Sequence, residues 1–458
     1  MPTLTRLARV RLRRLTRLPM ISPREWLRRV VFWAGAVLVA VVAIAFAGLA
    51  DRASNWFVAL QAPRPWIALI VCPLGLTVAF LATRYVFPGA QGSGIPQVIA
   101  AQHMTDRAAI ARVLSARIAV GKIGLTLLGL CCGASIGREG PTVQVGAAIM
   151  HALGRVLRLS RVELERALVL AGGAAGVAAA FNTPLAGVVF AIEELSHSFE
   201  ARTSGTVLTA VIIGGITTLA LAGNYTYFGH TSAVLNFGPG WIAVVLCSLI
   251  GGLGGGLFSA ALVRFAKGFS GRVGKWLVRY PVVFAALCGL ALAAIGMASG
   301  GQTYGTGYAQ ARGMVEGTTT LGWAYVLLKF AATVVSYISG IPGGIFAPSL
   351  SVGAGLGLWL SHFLPEAPAG AVVLLGMVAY FSGVVQAPIT AAVIVMEMTD
   401  NQRVTVPLLA ASFLAFGISR LVCRRPLYGE LARFFLAAQE KNATHARPVS
   451  VATETEPV

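Results

Sequence analysis

The sequence predicts an all-α polytopic membrane protein, on the basis of its composition, its apolar runs and its loops rich in glycine and proline. Of the 458 residues, 56% are hydrophobic and 12% are charged, and the mean hydropathy is +0.76, which is typical of a chain with many membrane segments. A helix that spans the bilayer needs about 20 apolar residues. Because several runs are shorter or are interrupted by Gly or Pro, we expect tilted, broken and re-entrant helices.

The first predicted membrane segment follows a strongly basic stretch. Nine arginines lie within residues 1–29, and this charge distribution predicts a cytoplasmic N-terminus. The net charge of +19 is thereby explained without a nucleic-acid partner, although binding of this stretch to a polyanion or to anionic lipid remains an alternative. The predicted membrane segments are the apolar runs Val31 to Ala50, Trp66 to Leu81, Val207 to Leu221, Trp241 to Val263, Pro281 to Ala298, Trp323 to Tyr337, Ala371 to Phe381 and Val404 to Ile418.

Three loops beside apolar sequence indicate where the function lies. They are Gly92-Ser93-Gly94-Ile95-Pro96, Gly137-Arg138-Glu139-Gly140-Pro141 and Gly343-Gly344-Ile345-Phe346-Ala347-Pro348. Non-helical backbone at bilayer depth is tolerated only where protein or water satisfies its polar groups. Proline favours the first position of a helix, and a helix N-terminus presents free N–H groups to an anion. The loops therefore predict three helix N-termini that together bind an anion.

An internal repeat relates the two halves of the chain. The stretch from Ala171 to Glu194 resembles the stretch from Leu375 to Met398, with Pro184 aligned on Pro388. With a small change of register, Gly137 to Pro141 also aligns with Gly344 to Pro348. Repeats of this kind place a transporter's site at the interface of the halves, where helices are discontinuous. We therefore expect loops from both halves to converge.

These motifs resemble the signature stretches of the CLC family of chloride channels and chloride/proton exchangers. The loops occur in the family's order, and two more stretches match: Phe181-Asn182-Thr183-Pro184-Leu185-Ala186-Gly187 with Ile192-Glu193-Glu194, and Arg425-Pro426-Leu427-Tyr428. The resemblance implies the CLC fold of the prokaryotic exchangers, without CBS domains. That fold has two inverted-topology repeats of tilted and discontinuous helices, and one anion pathway in each subunit of a homodimer.

The resemblance also implies roles for individual residues. Chloride would lie between the hydroxyls of Ser93 and Tyr428 and the backbone N–H groups of Ile345 and Phe346. Glu139 would be the external gate and proton acceptor, its carboxylate competing with the anion for the same donors. Glu194 would transfer protons to and from the cytoplasmic side. Ten further loop residues would support the site: Gly92, Gly94, Ile95, Pro96, Gly137, Arg138, Gly140, Pro141, Gly344 and Pro348.

We accordingly divide the chain into five segments. A basic cytoplasmic segment (1–30) precedes the first membrane repeat (31–222), and a connection (223–239) leads to the second repeat (240–430) and to a short cytoplasmic tail (431–458). The predicted location is the cell inner membrane, where membrane lipid surrounds a homodimer and both termini are cytoplasmic.

Four acidic residues lie within strongly apolar sequence: Glu139, Glu193, Glu194 and Glu397. A charged side chain at the centre of a membrane helix costs about 2.5 to 3.5 kcal/mol, so each needs a reason to be there. Arg138 favours the ionised form of Glu139, whereas burial disfavours it. Glu193 aligns with Glu397 in the repeat, which suggests capping or pairing at a helix end in both halves. Glu194 has no such counterpart, which leaves proton transfer or a salt bridge as its role.

The leading functional hypothesis is a secondary active H⁺/Cl⁻ antiporter. The alternative within the same fold is a passive voltage- or pH-gated chloride channel, which needs the anion site but no internal proton relay. An intramembrane enzyme with Ser93 as nucleophile would need a base within hydrogen-bond reach, and the sequence offers none in a matching motif. We predict no enzymatic activity, no cofactor and no metal site. Lys122 either adds a positive field near the pathway or is a snorkelling lysine.

Overall fold

The computed structural model describes residues 23–157, 162–196, 201–223 and 226–445. Most of the predicted basic segment and the end of the predicted tail lie outside these residues. The described part of the chain is helical and contains no strand. Its helices are α1 (Pro23–Gln61), α2 (Ala68–Leu81), α3 (Ile95–His103), α4 (Arg107–Val113), α5 (Ala116–Cys131), α6 (Glu139–Val156), α7 (Val162–Phe181), α8 (Pro184–Phe190), α9 (Ala201–Ala222), α10 (Ile242–Ala266), α11 (Gly271–Arg279), α12 (Pro281–Ala298), α13 (Tyr308–Val315), α14 (Trp323–Ile338), α15 (Phe346–Ser361), α16 (Ala369–Val385), α17 (Pro388–Thr399), α18 (Thr405–Val422) and α19 (Leu427–His445).

The helices differ in whether they are long enough to cross a membrane. Within the described residues, seven helical segments are long and apolar enough to do so: Trp26–Gln61, Pro65–Val86, Arg107–Cys131, Val162–Phe181, Pro239–Ala266, Pro281–Ala298 and Gln402–Val422. Other apolar helices, among them α14 to α17, have only 12 to 17 residues. The predicted mixture of full spans and short, broken helices is confirmed. Helix α19 crosses the predicted start of the C-terminal tail at residue 431.

Each of the three loops is followed by a helix, but the prolines are not at the first helical position. Helix α3 begins at Ile95, one residue before Pro96, and α6 and α15 begin at Glu139 and Phe346, two residues before their prolines. The sequence prediction is wrong here because the N–H groups of the first helical residues all lack an intrahelical acceptor, so proline at the second or third position loses no hydrogen bond. Glu139 and Phe346 are consequently the first residues of their helices.

Equivalent helix pairs in the two halves pack through glycines. Helices α6 and α7 cross at Gly146 and Gly172, and α15 and α16 cross at Gly353 and Gly376. A Cβ atom at Gly172 would lie 2.8 Å from the carbonyl carbon of Gly146, and one at Gly353 would lie 2.6 Å from the carbonyl oxygen of Gly376. Small residues that let helix backbones approach closely are the usual basis of packing in membranes. The two halves thus use one packing solution twice.

The short helices α8 and α17 cap each other. The carboxylate of Glu193, just after α8, accepts hydrogen bonds from the backbone N–H groups of Ile389 (3.1 Å) and Thr390 (2.6 Å) at the start of α17. The carboxylate of Glu397 in α17 accepts from Leu185 (3.2 Å) and Ala186 (2.7 Å) at the start of α8. The prediction of a shared capping role is confirmed.

Candidate anion and proton site

The three loops meet through their backbones. Gly137 and Gly344 donate to each other's carbonyl oxygens, with both N···O distances 2.7 Å, and the N–H of Gly343 donates to Gly92 at 3.0 Å. A Cβ atom at Gly344 would lie 3.1 Å from the backbone nitrogen of Gly140, so the approach leaves little room for a side chain. The predicted convergence of loops from both halves is confirmed, and the N-termini of α3, α6 and α15 lie at one place.

Two buried hydroxyl groups lie at these helix ends. Ser93, just before α3, is 1% exposed, and Tyr428, the second residue of α19, is fully buried. In the described part of the chain, neither hydroxyl oxygen has a hydrogen-bond partner of good geometry, although the two hydroxyls are close enough to interact with each other. Helix α19 packs against α3, and the Tyr428 ring lies 6.1 Å from the ring of Phe346, between centroids. Buried polar groups are normally paired. Two hydroxyls without a well-made hydrogen bond beside helix N-termini therefore suit the binding of an anion by neutral donors, with no charged side chain in the site.

The gate candidate Glu139 is fully buried, as expected. The hydroxyl of Tyr308 donates a hydrogen bond to its Oε1 atom, while Oε2 has no partner among the described residues. Arg138 forms no salt bridge with Glu139 in the described structure. Its guanidinium instead donates to the carbonyl of Ala47 and to Asp51 Oδ1, the latter at 2.7 Å.

Glu194 lies in a π-helical turn, residues 191–196, that extends α8. It is 2% exposed, and its Oε1 atom has no hydrogen-bond partner among the described residues. The same residues contain no salt bridge to Glu194, which argues against the salt-bridge alternative. The phenol of Tyr428 is close enough to both Glu194 and Glu139 to interact electrostatically with each. The two buried carboxylates therefore both lie within electrostatic reach of the Tyr428 hydroxyl.

Lys122 is completely buried, so the snorkelling alternative is wrong. Its ammonium group donates to the carbonyls of Ala90 (2.8 Å) and Gly92 (2.6 Å) and thereby holds the loop that carries Ser93. Lys329 does the same in the second half, where it donates to the carbonyls of Thr303 (2.9 Å) and Gly305 (2.8 Å).

The sequence analysis missed the loop that Lys329 holds. Gly305-Thr306-Gly307 leads into α13 at Tyr308 as Gly92-Ser93-Gly94 leads into α3 at Ile95. Gly305 and Gly307 have φ angles of +66° and +83°, and Gly92 and Gly94 have +63° and +102°. A signal was available, because Lys329 follows Lys122 by 207 positions and Gly344 follows Gly137 by the same number.

A comparison with protein families agrees with this geometry. Residues 74–420 match the model of a family described as voltage gated chloride channel. The chain belongs to this family. It is also similar to the H(+)/Cl(-) exchange transporter ClcA of Yersinia pestis biovar Antiqua strain Angola, with 33% identity over 415 residues that cover 84% of this chain and 82% of the relative. The protein of the same name from Yersinia pseudotuberculosis serotype IB is 34% identical over the same length.

Several solved structures share the fold of this protein. A slow cyanobacterial Cl⁻/H⁺ antiporter superposes with a TM-score of 0.75 and 22% identity, covering 90% of this chain and 99% of that one. A CLC-type fluoride/proton antiporter superposes with a TM-score of 0.73 and 23% identity, covering 87% of this chain and 97% of that one. A eukaryotic CLC transporter superposes with a TM-score of 0.70 and 20% identity, covering 88% of this chain and 74% of that one. The chain therefore has the CLC fold, as the sequence predicts.

Proposed function

We propose that this protein is a secondary active transporter that exchanges chloride for protons. The observation that carries the proposal is the pair of buried carboxylates, Glu139 and Glu194, near the buried hydroxyls of Ser93 and Tyr428, which form no well-made hydrogen bond in the described residues. A passive channel has no need of Glu194, whose insertion into apolar surroundings is costly. The names of the curated relatives and of two structural neighbours, which are exchangers or antiporters, support the same reading.

The anion binds between neutral donors. The hydroxyls of Ser93 and Tyr428 donate to chloride from α3 and α19, and the backbone N–H groups of Ile345 and Phe346 donate from the start of α15. N–H groups at that position have no intrahelical acceptor and lie at the positive end of the helix dipole. Such a site holds a halide without a full positive charge that would trap it. The surrounding loop glycines and prolines keep the helix ends in contact.

The two carboxylates provide the proton route. Glu139 alternates between a position in the anion pathway and a protonated position that admits chloride, so each gate movement links a proton to an anion. Glu194 exchanges protons with the cytoplasmic side and passes them toward Glu139 across the Tyr428 region. Neither carboxylate forms a salt bridge in the described structure, where Arg138 pairs with Asp51, so protonation does not have to break one.

The protein works as a homodimer in the inner membrane, with its termini in the cytoplasm. The capping bonds at Leu185 and Ile389 are exposed in the single chain, and broken helices at membrane depth need protein around them. Large apolar side chains are exposed on α8, α9, α17 and α18: Leu185, Ile216, Leu219, Ile389, Val406 and Phe413. A second subunit would cover this face, while lipid covers the rest.

Flux measurement with proton recording tests the exchange. Liposomes loaded with chloride are placed in low-chloride buffer with an ionophore that clamps the voltage, and chloride efflux is recorded together with external pH. We expect proton uptake that follows the chloride gradient against the proton gradient. Glu194→Gln should keep chloride efflux and abolish proton uptake, because an amide cannot release a proton.

Two controls complete this experiment. Glu193→Gln changes the neighbouring residue, which caps α17, and should retain coupled proton uptake. Ser93→Ala should slow chloride efflux without exposing any hydrolytic activity, which separates transport from the enzyme alternative. Chloride efflux with an unchanged external pH in the natural protein would mean a channel, and the role given to Glu194 would be wrong.

A further inference from the structure

The gate carboxylate has one direct polar partner in the described structure, and it is a tyrosine from the opposite half of the chain. The hydroxyl of Tyr308 donates to Oε1 of Glu139, and both side chains are buried. A hydrogen bond from a neutral donor to an ionised carboxylate is roughly twice as strong as one between neutral groups. The contact therefore favours the present orientation of the Glu139 carboxylate over any orientation in which this hydrogen bond is broken.

Tyr308 itself is held in a fixed position. It is the first residue of α13, and it follows a loop whose carbonyls are bound by Lys329. The hydroxyl of Ser351 on α15 donates to the carbonyl of Gly307 at 3.0 Å and is itself paired with the Tyr325 hydroxyl at 2.6 Å. This network of buried polar contacts gives the backbone at Tyr308 little freedom to move with the gate.

The ring of Tyr308 is packed on three sides. Tyr227 stacks on it at 5.0 Å between centroids, Phe228 lies at 5.2 Å, and the guanidinium carbon of Arg138 lies 5.4 Å from the ring centroid. Arg138 also donates to the Tyr227 hydroxyl. The charged groups that face Glu139 from this cluster are therefore Arg138 and, through it, Asp51, and neither forms a hydrogen bond with the gate.

We propose that the Tyr308 hydroxyl is a positioning group that holds the Glu139 carboxylate in the orientation it has here, with Oε2 beside Gly137 where the loops meet, and so sets how strongly the gate competes with chloride. The inference rests on the proposed function, because it requires that chloride binds and that Glu139 excludes it. Tyr308 acts on the gate and not on the anion. Its removal should therefore change chloride affinity only when the carboxylate is present.

Calorimetric titration of the purified full-length protein with chloride tests this directly. Tyr308→Phe keeps the stacked ring and removes only the hydroxyl, and we expect chloride to bind about tenfold more tightly, as the loss of one hydrogen bond to a charged group implies. In a Glu139→Ala background, the same substitution should change the affinity by less than about twofold. Tyr304→Phe is the matched control: it removes a buried tyrosine hydroxyl four residues away that donates to Ala293, and it should leave chloride affinity unchanged.

A second substitution is expected to change chloride affinity in the opposite direction. Fluorinated tyrosine at position 308 is a stronger donor with nearly the same shape, so it should weaken chloride binding while the fold is preserved. An equal effect of Tyr308→Phe with and without the Glu139 carboxylate would overturn the proposal, and so would no effect in either background. Absence of chloride binding in the natural protein would instead contradict the proposed function, so the two failures are distinguishable.

Discussion

Lys122 and Lys329 are the two lysines that are completely buried in the part of the chain that the structure describes. Each ammonium group is surrounded by backbone carbonyls and forms no salt bridge there. A buried charge without such hydrogen bonds would be very costly. The carbonyls make the charge tolerable, and the charge in turn fixes the loops that carry Ser93 and Tyr308. At the scale of single residues, the site is thus built by polar groups that satisfy each other.

Removing the ammonium group of Lys329 should destabilise the protein. In Lys329→Met the carbonyls of Thr303 and Gly305 lose their donor, and we expect the free energy of unfolding to fall by about 3 kcal/mol, since each unsatisfied buried group costs about 1 to 3 kcal/mol. Chemical denaturation in detergent measures the change. Lys275→Met is the control, because Lys275 is exposed on α11 and surface substitutions usually stay within about 0.5 kcal/mol. Equal stability of the two variants would contradict the role of Lys329.

Helices α8 and α17 show how one element can complete another. Both begin after a residue with positive φ, Asn182 at +56° and Gln386 at +59°. Each then receives a carboxylate from the far end of its partner at its first free N–H groups. Two reciprocal caps join the halves of the chain, so Glu193 and Glu194 have different functions although they are adjacent.

Substitution of the caps separates stability from coupling. Glu193→Gln and Glu397→Gln each replace one acceptor oxygen with a donor, and each should lower the free energy of unfolding by about 1 to 2 kcal/mol, the usual value of an N-cap. Chloride efflux and proton uptake in liposomes should remain coupled in both variants. Glu194→Gln should show the reverse, with stability retained and coupling lost. Loss of coupling in Glu193→Gln at unchanged stability would refute this division of roles.

At the scale of the whole molecule, every residue of the candidate site comes from one chain. Ser93, Glu139, Glu194, Phe346 and Tyr428 are brought together by contacts within the described structure. We therefore expect a dimer to add cover for the broken helices α8 and α17 while each subunit keeps its own anion site. A subunit separated from its partner should keep its transport chemistry.

A bulky substitution on the proposed dimer face tests this independence. Ile216 on α9 is 58% exposed, and Ile216→Trp should convert the dimer to monomers because a large ring cannot fit in a close-packed interface. Cross-linking in liposomes measures the oligomeric state, and coupled proton uptake should persist in the monomer. Leu253→Trp on α10, where Leu253 is 48% exposed, should remain dimeric. If both variants remain dimeric, the dimer interface does not include Ile216.

The sequence determined the membrane class, the CLC fold and the three loops, because these depend on local features: apolar length, glycine and proline positions, and the repeat. It also predicted the shared capping role of Glu193 and Glu397 from their alignment. The tertiary structure decided which side chains meet. Tyr308, Asp51 and Lys329 lie far from Glu139 in the sequence, and Arg138, its neighbour, forms its hydrogen bonds elsewhere. Partners of a buried charge are chosen by how helices pack across the two halves, and adjacency in the chain does not specify that packing.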